Sequence, residues 1–116
     1  LYDSTLREDL YISFDDSKNM LINKTIVSQL TLSKDRIYRF IQDDSSNIGL
    51  PIRIAKTPNT TSREFINYYY DGVFGTTNPE GVGSEIYLKT TDNTLNSLFL
   101  LTENDLTIPS VNLLVI

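Results

Sequence analysis

Between Ile37 and Ile54 the chain spells out a strand, a polar turn and a second strand, and Gly49 and Pro51 keep any helix from running through that stretch. In Ile37-Tyr38-Arg39-Phe40-Ile41 the side-chain period of two puts Tyr38 and Phe40 on one face and Ile37 and Arg39 on the other. The two rings, with Ile41 beside them, are assigned to the core, where each contributes about 2 to 3 kcal/mol by burial. Asp43-Asp44-Ser45-Ser46-Asn47 supplies short polar side chains that cap turn amides. Pro51 lacks an amide donor, so Ile52-Arg53-Ile54 begins directly after it, at an edge or a strand start.

Elsewhere Val, Ile, Thr, Tyr and Phe gather in short segments separated by Asn, Asp, Gly, Pro and Ser, which predicts an all-β domain of about seven to eight strands. Tyr11 to Phe14 and Met20-Leu21-Ile22 flank the turn Asp15 to Asn19. Ile26 to Leu32 follows as one strand, and Ser33-Lys34-Asp35 turns the chain into Arg36 to Ile41. Ala55 to Ser84 carries Pro58, Gly72, Gly75, Pro79, Gly81 and Gly83 and reads mostly as loop, Phe65 to Tyr70 excepted. Glu85 to Lys89 alternates with Ile86 and Leu88 inward. Leu98-Phe99-Leu100-Leu101 is a continuous apolar run, suited to a strand buried on both faces or to a sandwich centre. Val111 to Ile116 is a terminal strand. Residues 1–10 are polar and irregular and read as an N-terminal arm, leaving 11–116 as a single β-sandwich domain.

Composition narrows the chemistry. A chain of 116 residues, 40% hydrophobic and 22% charged, suits one folded core. Fifteen acidic against ten basic side chains give a net charge of −5, which opposes phosphate neutralisation and adsorption to anionic lipid, so neither nucleic acid nor membrane is the expected partner. The longest apolar runs, Leu98 to Leu101 and Leu113 to Ile116, are strand-sized. With no His and no Cys there is no disulfide, no usual zinc site and no His-activated nucleophile, and Ser84 and Ser110 have no base. Gly81-Val82-Gly83 lacks the further glycine and helix of a phosphate cradle. Asp15, Asp16, Asp43, Asp44 and Asp71 are hard oxygen donors in turns, yet none sits in an EF-hand pattern, and they are read as turn caps rather than calcium ligands. No catalytic residue and no cofactor are expected.

The segment Leu32-Ser33-Lys34-Asp35-Arg36-Ile37-Tyr38-Arg39-Phe40, followed by Asp44-Ser45-Ser46-Asn47-Ile48-Gly49-Leu50-Pro51-Ile52-Arg53-Ile54, then Tyr70-Asp71-Gly72-Val73 and Gly81-Val82-Gly83-Ser84-Glu85-Ile86, resembles a cupredoxin-like β-sandwich module found in structural proteins of marine phages and viruses. The resemblance runs from about Leu30 to about Asp105 and implies a Greek-key sandwich. In copper-binding relatives it implies a histidine before the proline and a Cys-x-x-His-x-x-Met run after the last core strand, a soft thiolate with two imidazoles and a thioether. This chain has Leu50, Thr102, Asp105 and Ile108 at those places. The expectation is a metal-free core in which the two aliphatic side chains fill the former ion cavity.

For partner contact the best candidates are Tyr68, Tyr69, Tyr70 and Phe74, because aromatic side chains give large amphipathic area at small entropic cost. Alternate burial of the rings in an ordinary strand is the competing expectation. Asn23-Lys24-Thr25 and Asn59-Thr60-Thr61 are glycosylation sequons if the chain meets a secretory pathway. The leading functional expectation is a non-catalytic viral structural module, in the capsid, on it as decoration or in a tail fibre, located in the virion and contacting other virion proteins or copies of itself. The alternative is a subunit or adhesion domain of an extracellular filament or surface layer, in which the terminal strand pairs across subunits.

Overall fold

In Arg7–Phe14 (β1) the alternate residues Leu10, Ile12 and Phe14 are buried, while Glu8 and Tyr11 face outward, the pattern of a strand with one face on a core. The computed structural model describes residues 7–58, 67–76 and 78–116. Among these, Met20–Ile22 (β2), Thr25–Ile26 (β3), Gln29–Leu32 (β4), Ile37–Gln42 (β5), Ile52–Ala55 (β6), Val73–Thr76 (β7), Ser84–Lys89 (β8), Ser97–Thr102 (β9) and Val111–Val115 (β10) complete ten strands. They form a six-stranded sheet in the order β3-β2-β1-β5-β8-β7 and a four-stranded sheet in the order β4-β10-β9-β6. The inward faces share one core built around Phe40, Ile12, Ile54, Leu88, Leu98, Leu100, Ile108 and Leu113.

The strand at Ile37–Gln42 lies as expected, with Tyr38 and Phe40 buried in the core. Its outward residues Ile37 and Ile41 are buried as well, because β5 is interior to the larger sheet, flanked by β1 in parallel and β8 antiparallel. Leu98, Leu100 and Leu101 are all buried on β9, which lies between β10 and β6.

Four expectations change. An arm over residues 1–10 gives way in part: Arg7 to Leu10 belong to β1, with Arg7 opposite Ile37 and Leu10 opposite Phe40. The polar string Arg7-Glu8-Asp9 conceals this because Asp9 faces Arg39 across the pair, 3.6 Å away. Residues 1–6 lie outside the described residues. The single strand Ile26 to Leu32 is two, since β3 closes a hairpin on β2 and β4 joins the other sheet beside β10, the chain changing layers at Val27-Ser28. The tail of the expected loop contains β7, whose Gly75, at φ 122°, passes so close to β8 that a Cβ there would run into the Glu85 carbonyl. The strand count is accordingly ten among the described residues instead of seven or eight.

Between β5 and β6 the turn is fastened by two buried amides. Gln42 donates from Nε2 to Asn47 Oδ1 (2.9 Å) and to the Leu50 carbonyl (2.7 Å), and its Oε1 accepts from Ile52 N–H (3.0 Å). Asn47 donates to the Ile12 carbonyl (2.8 Å), tying the turn to β1. Asp44 caps the short 3-10 turn Ser45–Asn47 by accepting from Ser46 N–H, and its carboxyl is held below the usual range by the Ser46 side chain first and the Ser46 amide second.

Candidate functional site

The aromatic run falls where the edges of the two sheets meet. Tyr68 forms an isolated bridge with Ala55, Tyr69 N–H donates to the Ile54 carbonyl (2.9 Å), and Lys56 N–H donates to the Asn67 carbonyl (2.7 Å), so Asn67 to Tyr69 lies against the β6 edge. Period two then turns Tyr69 inward, 5% exposed, and Tyr70 outward, 67% exposed. Tyr68 and Tyr70 meet edge to face at 6.4 Å between centroids. Over them lies Arg53, the outward residue of β6, its guanidinium 4.1 Å from the Tyr68 ring centre and 6.0 Å from that of Tyr70. Phe65 and Ile66 lie outside the described residues, as does the Asn59 sequon.

Across the gap, β7 contributes Val73 and Phe74. Phe74 is 46% exposed and stacks on Tyr87 of β8 at 4.9 Å and 8°. The space between the edges is a pocket of about 210 Å³ lined by Arg53, Ile54, Tyr69, Tyr70, Phe74 and Ile86. Three of the four predicted contact residues therefore converge on one pocket, and Tyr68 flanks it through Arg53. The Arg53 guanidinium has the Glu103 carboxylate at 3.8 Å and makes no hydrogen bond to a described residue. The buried Tyr69 hydroxyl has no hydrogen-bond partner among the described residues, an omission that costs about 1 to 3 kcal/mol. Floor and rim thus combine apolar area with a hydroxyl and a guanidinium that make no hydrogen bond to a described residue.

At one end of the sandwich the four positions implied by the resemblance also gather. Ile52 sits opposite Thr102, and Glu103 N–H donates to the Pro51 carbonyl (2.9 Å), which brings the Leu50 turn against the β9–β10 loop. Leu50 packs against the core cluster that includes Ile108, itself fully buried. The Thr102 hydroxyl donates to the Asp105 carbonyl. The Asp105 carboxylate accepts from Thr107 N–H (3.1 Å) and from Lys18 Nζ (3.0 Å), and its pKa is lowered, by the Thr107 bonds first and by Lys18 second.

No protein-family model matches the chain, and no curated protein matches it. Solved structures do. A variant rusticyanin superposes with a TM-score of 0.61 at 12% identity, covering 96% of this chain and 78% of that one. Reduced rusticyanin gives 0.60 at 13%, covering 96% and 80%, and rusticyanin from Thiobacillus ferrooxidans gives 0.58 at 11%, covering 96% and 78%. The fold is cupredoxin-like.

The copper that this fold implies can be tested against the residues in place. In this cupredoxin-like chain two of the four positions, Leu50 and Ile108, have no donor atom. Thr102 spends its hydroxyl proton on a backbone carbonyl, and Asp105 is engaged with Lys18 and Thr107. Copper of either charge wants thiolate, thioether or imidazole, so the set does not fit it. Among the described residues no cluster of three or more His, Cys, Asp or Glu side chains is placed to hold a metal. The turn carboxylate of Asp15 accepts instead from Asn19 and Ser17, with its pKa lowered chiefly by the Asn19 amide.

Sequence reasoning misses Arg53, Gln42 and Asn47. The outward place of Arg53 follows from period two, but nothing local says that a tyrosine strand will lie beside it. Gln42 and Asn47 carry no motif, and their spacing of five residues is meaningful only once the turn is folded.

Proposed function

We propose that this chain is a metal-free, non-catalytic docking module of a virus particle, serving in the capsid, as its decoration or in a tail fibre. The observation that carries the reading is the contrast between two places on one scaffold. The loop end, where a cupredoxin-like fold implies an ion, is filled by Leu50 and Ile108, while the sheet edge at Arg53, Tyr70 and Phe74 stays open. A pocket of about 210 Å³ is smaller than the range of about 300 to 1,000 Å³ usual for small-molecule sites and suits a single side chain of a partner. Exposed Tyr and Phe with an arginine are the residue types that dominate binding energy at protein interfaces. The virion setting is supported by the resemblance of Leu32 to Ile54 to viral structural modules, and the partners are other virion proteins or copies of the chain, not nucleic acid or lipid.

The extracellular filament has less behind it. Its route is strand exchange through the C-terminal segment, and β10 has both edges hydrogen-bonded at home, to β4 and to β9. Mass spectrometry of purified particles from the source of the sequence tests the proposal. Finding the chain at fixed stoichiometry with coat or tail proteins is the expected result, and its absence from particles overturns the reading.

A further inference from the structure

We infer that the pocket between β6 and β7 receives an acidic side chain, flanked by apolar residues, from a partner protein. The inference rests on the docking reading and adds the chemistry of what is docked. Three observations converge on it. The Arg53 guanidinium sits over the Tyr68 ring, 4.1 Å from its centre, and its N–H fork makes no hydrogen bond to a described residue, the Glu103 carboxylate standing off at 3.8 Å. That fork matches a carboxylate, which takes two parallel hydrogen bonds from guanidinium. Tyr69, 95% buried and lining the same pocket, keeps a hydroxyl without a partner among the described residues, a second donor in search of an acceptor. Ile54, Val73 and Ile86 supply an apolar floor, and Tyr70 and Phe74 a rim. A neutral apolar side chain would fill the volume and leave both donors unmatched; a free inorganic anion would match the donors and leave the apolar wall in water. Glutamate or aspartate between apolar neighbours meets both demands, and the negative charge it brings goes to a local cation on a chain of net charge −5.

The test is an NMR titration of the full chain with the blocked tripeptide acetyl-Leu-Glu-Leu-amide, its Gln counterpart and sodium acetate. Saturable shifts at Arg53, Tyr69, Tyr70 and Phe74 are expected with the Glu peptide, about tenfold weaker affinity with the Gln peptide, and weaker binding still with acetate. Arg53→Gln is expected to bind both peptides alike, Arg53→Lys to keep part of the preference, and Tyr69→Phe to weaken the Glu peptide several-fold while sparing the Gln peptide. Should Arg53→Gln fail to fold, the wild-type comparison of the two peptides decides alone. Equal affinity for both peptides, shifts that avoid these residues, or acetate binding as tightly as the Glu peptide overturns the inference. Failure here and failure of the virion reading are separable: a chain absent from particles can still prefer the Glu peptide, and a chain present in them can show no preference.

Discussion

Replacing Gln42 by Leu removes three hydrogen bonds without changing the side chain's volume much, and the structure sets the size of the loss. Gln42 is 0% exposed and serves two acceptors, Asn47 Oδ1 and the Leu50 carbonyl, and one donor, Ile52 N–H. Leu fills the space and satisfies none of them. A buried polar group stripped of its partner costs about 1 to 3 kcal/mol, so three such groups, with some relaxation toward water at the turn, give a loss of about 3 to 6 kcal/mol. Domains of this size hold about 5 to 15 kcal/mol in all, so Gln42→Leu sits near the edge of stability. The chain has seven Tyr and no Trp, which makes tyrosine fluorescence and circular dichroism the natural probes of urea unfolding. With a slope of about 2 kcal/mol/M, the middle of the range usual for urea, the midpoint falls by roughly 1.5 to 3 M. Asn47→Ala removes an overlapping set of bonds, and the double variant is expected to show a coupling of about 1 to 2 kcal/mol. A loss below about 1 kcal/mol for Gln42→Leu would refute the argument that this amide holds the β5–β6 turn in place.

Three further outcomes follow from the same geometry. Copper added to the purified chain and then dialysed away is expected to leave far less than one ion per chain by elemental analysis; a stoichiometric ion would overturn the assignment of Leu50 and Ile108 as packing. Gly81→Ala is expected to cost about 2 to 4 kcal/mol by thermal or urea unfolding, since Gly81 has φ 91° and a Cβ there would meet the Asn47 carbonyl; a neutral result would mean that the turn shifts freely. Asp15, Asp44 and Asp105 all have lowered pKa values in the folded chain, so their contribution is complete above the ordinary carboxylate pKa of about 4 and is lost as pH falls through the lower folded values. Stability is therefore expected to drop on acidification below about pH 4, with a shallower slope in the triple Asn variant, as read from urea midpoints across pH.

The inward Tyr38 and Phe40 were legible because period two puts both rings on one face and their bulk sends that face to the core, whereas a change of sheet leaves no mark on such a pattern. Ile26 to Leu32 keeps its apolar content on both sides of Val27-Ser28, and only the pairing of β3 with β2 and of β4 with β10 separates the halves. The first turn of β1 is masked by Asp9, whose charge is met by Arg39 from a strand far along the chain. At the candidate site the tyrosines were visible as residues but not as a place. The pocket exists because Arg53 and Phe74 end two different sheets, a relation that no local spacing encodes. The Leu50, Thr102, Asp105 and Ile108 positions were found through resemblance alone, and the structure brings them to one end because Ile52 and Thr102 are register partners.

The edge is also the part of a two-layer fold where inward and outward residues of both sheets meet in one cleft. Ile54, Tyr69 and Ile86 come from faces turned to the core, while Arg53, Tyr70 and Phe74 come from faces turned to water. A charged group placed there acts beside low-dielectric walls, which strengthens its hold on an opposite charge compared with the open face of a sheet. Register decides which residues reach the cleft, because a slip of β7 by one residue exchanges Phe74 for Val73 or Gly75. Gly75 guards against that slip: any side chain at its position collides with the Glu85 carbonyl, so β7 pairs closely with β8 only when glycine stands opposite Ile86. The same glycine that hides β7 from the sequence thereby keeps Phe74 opposite Tyr87, where the two rings stack beside the pocket.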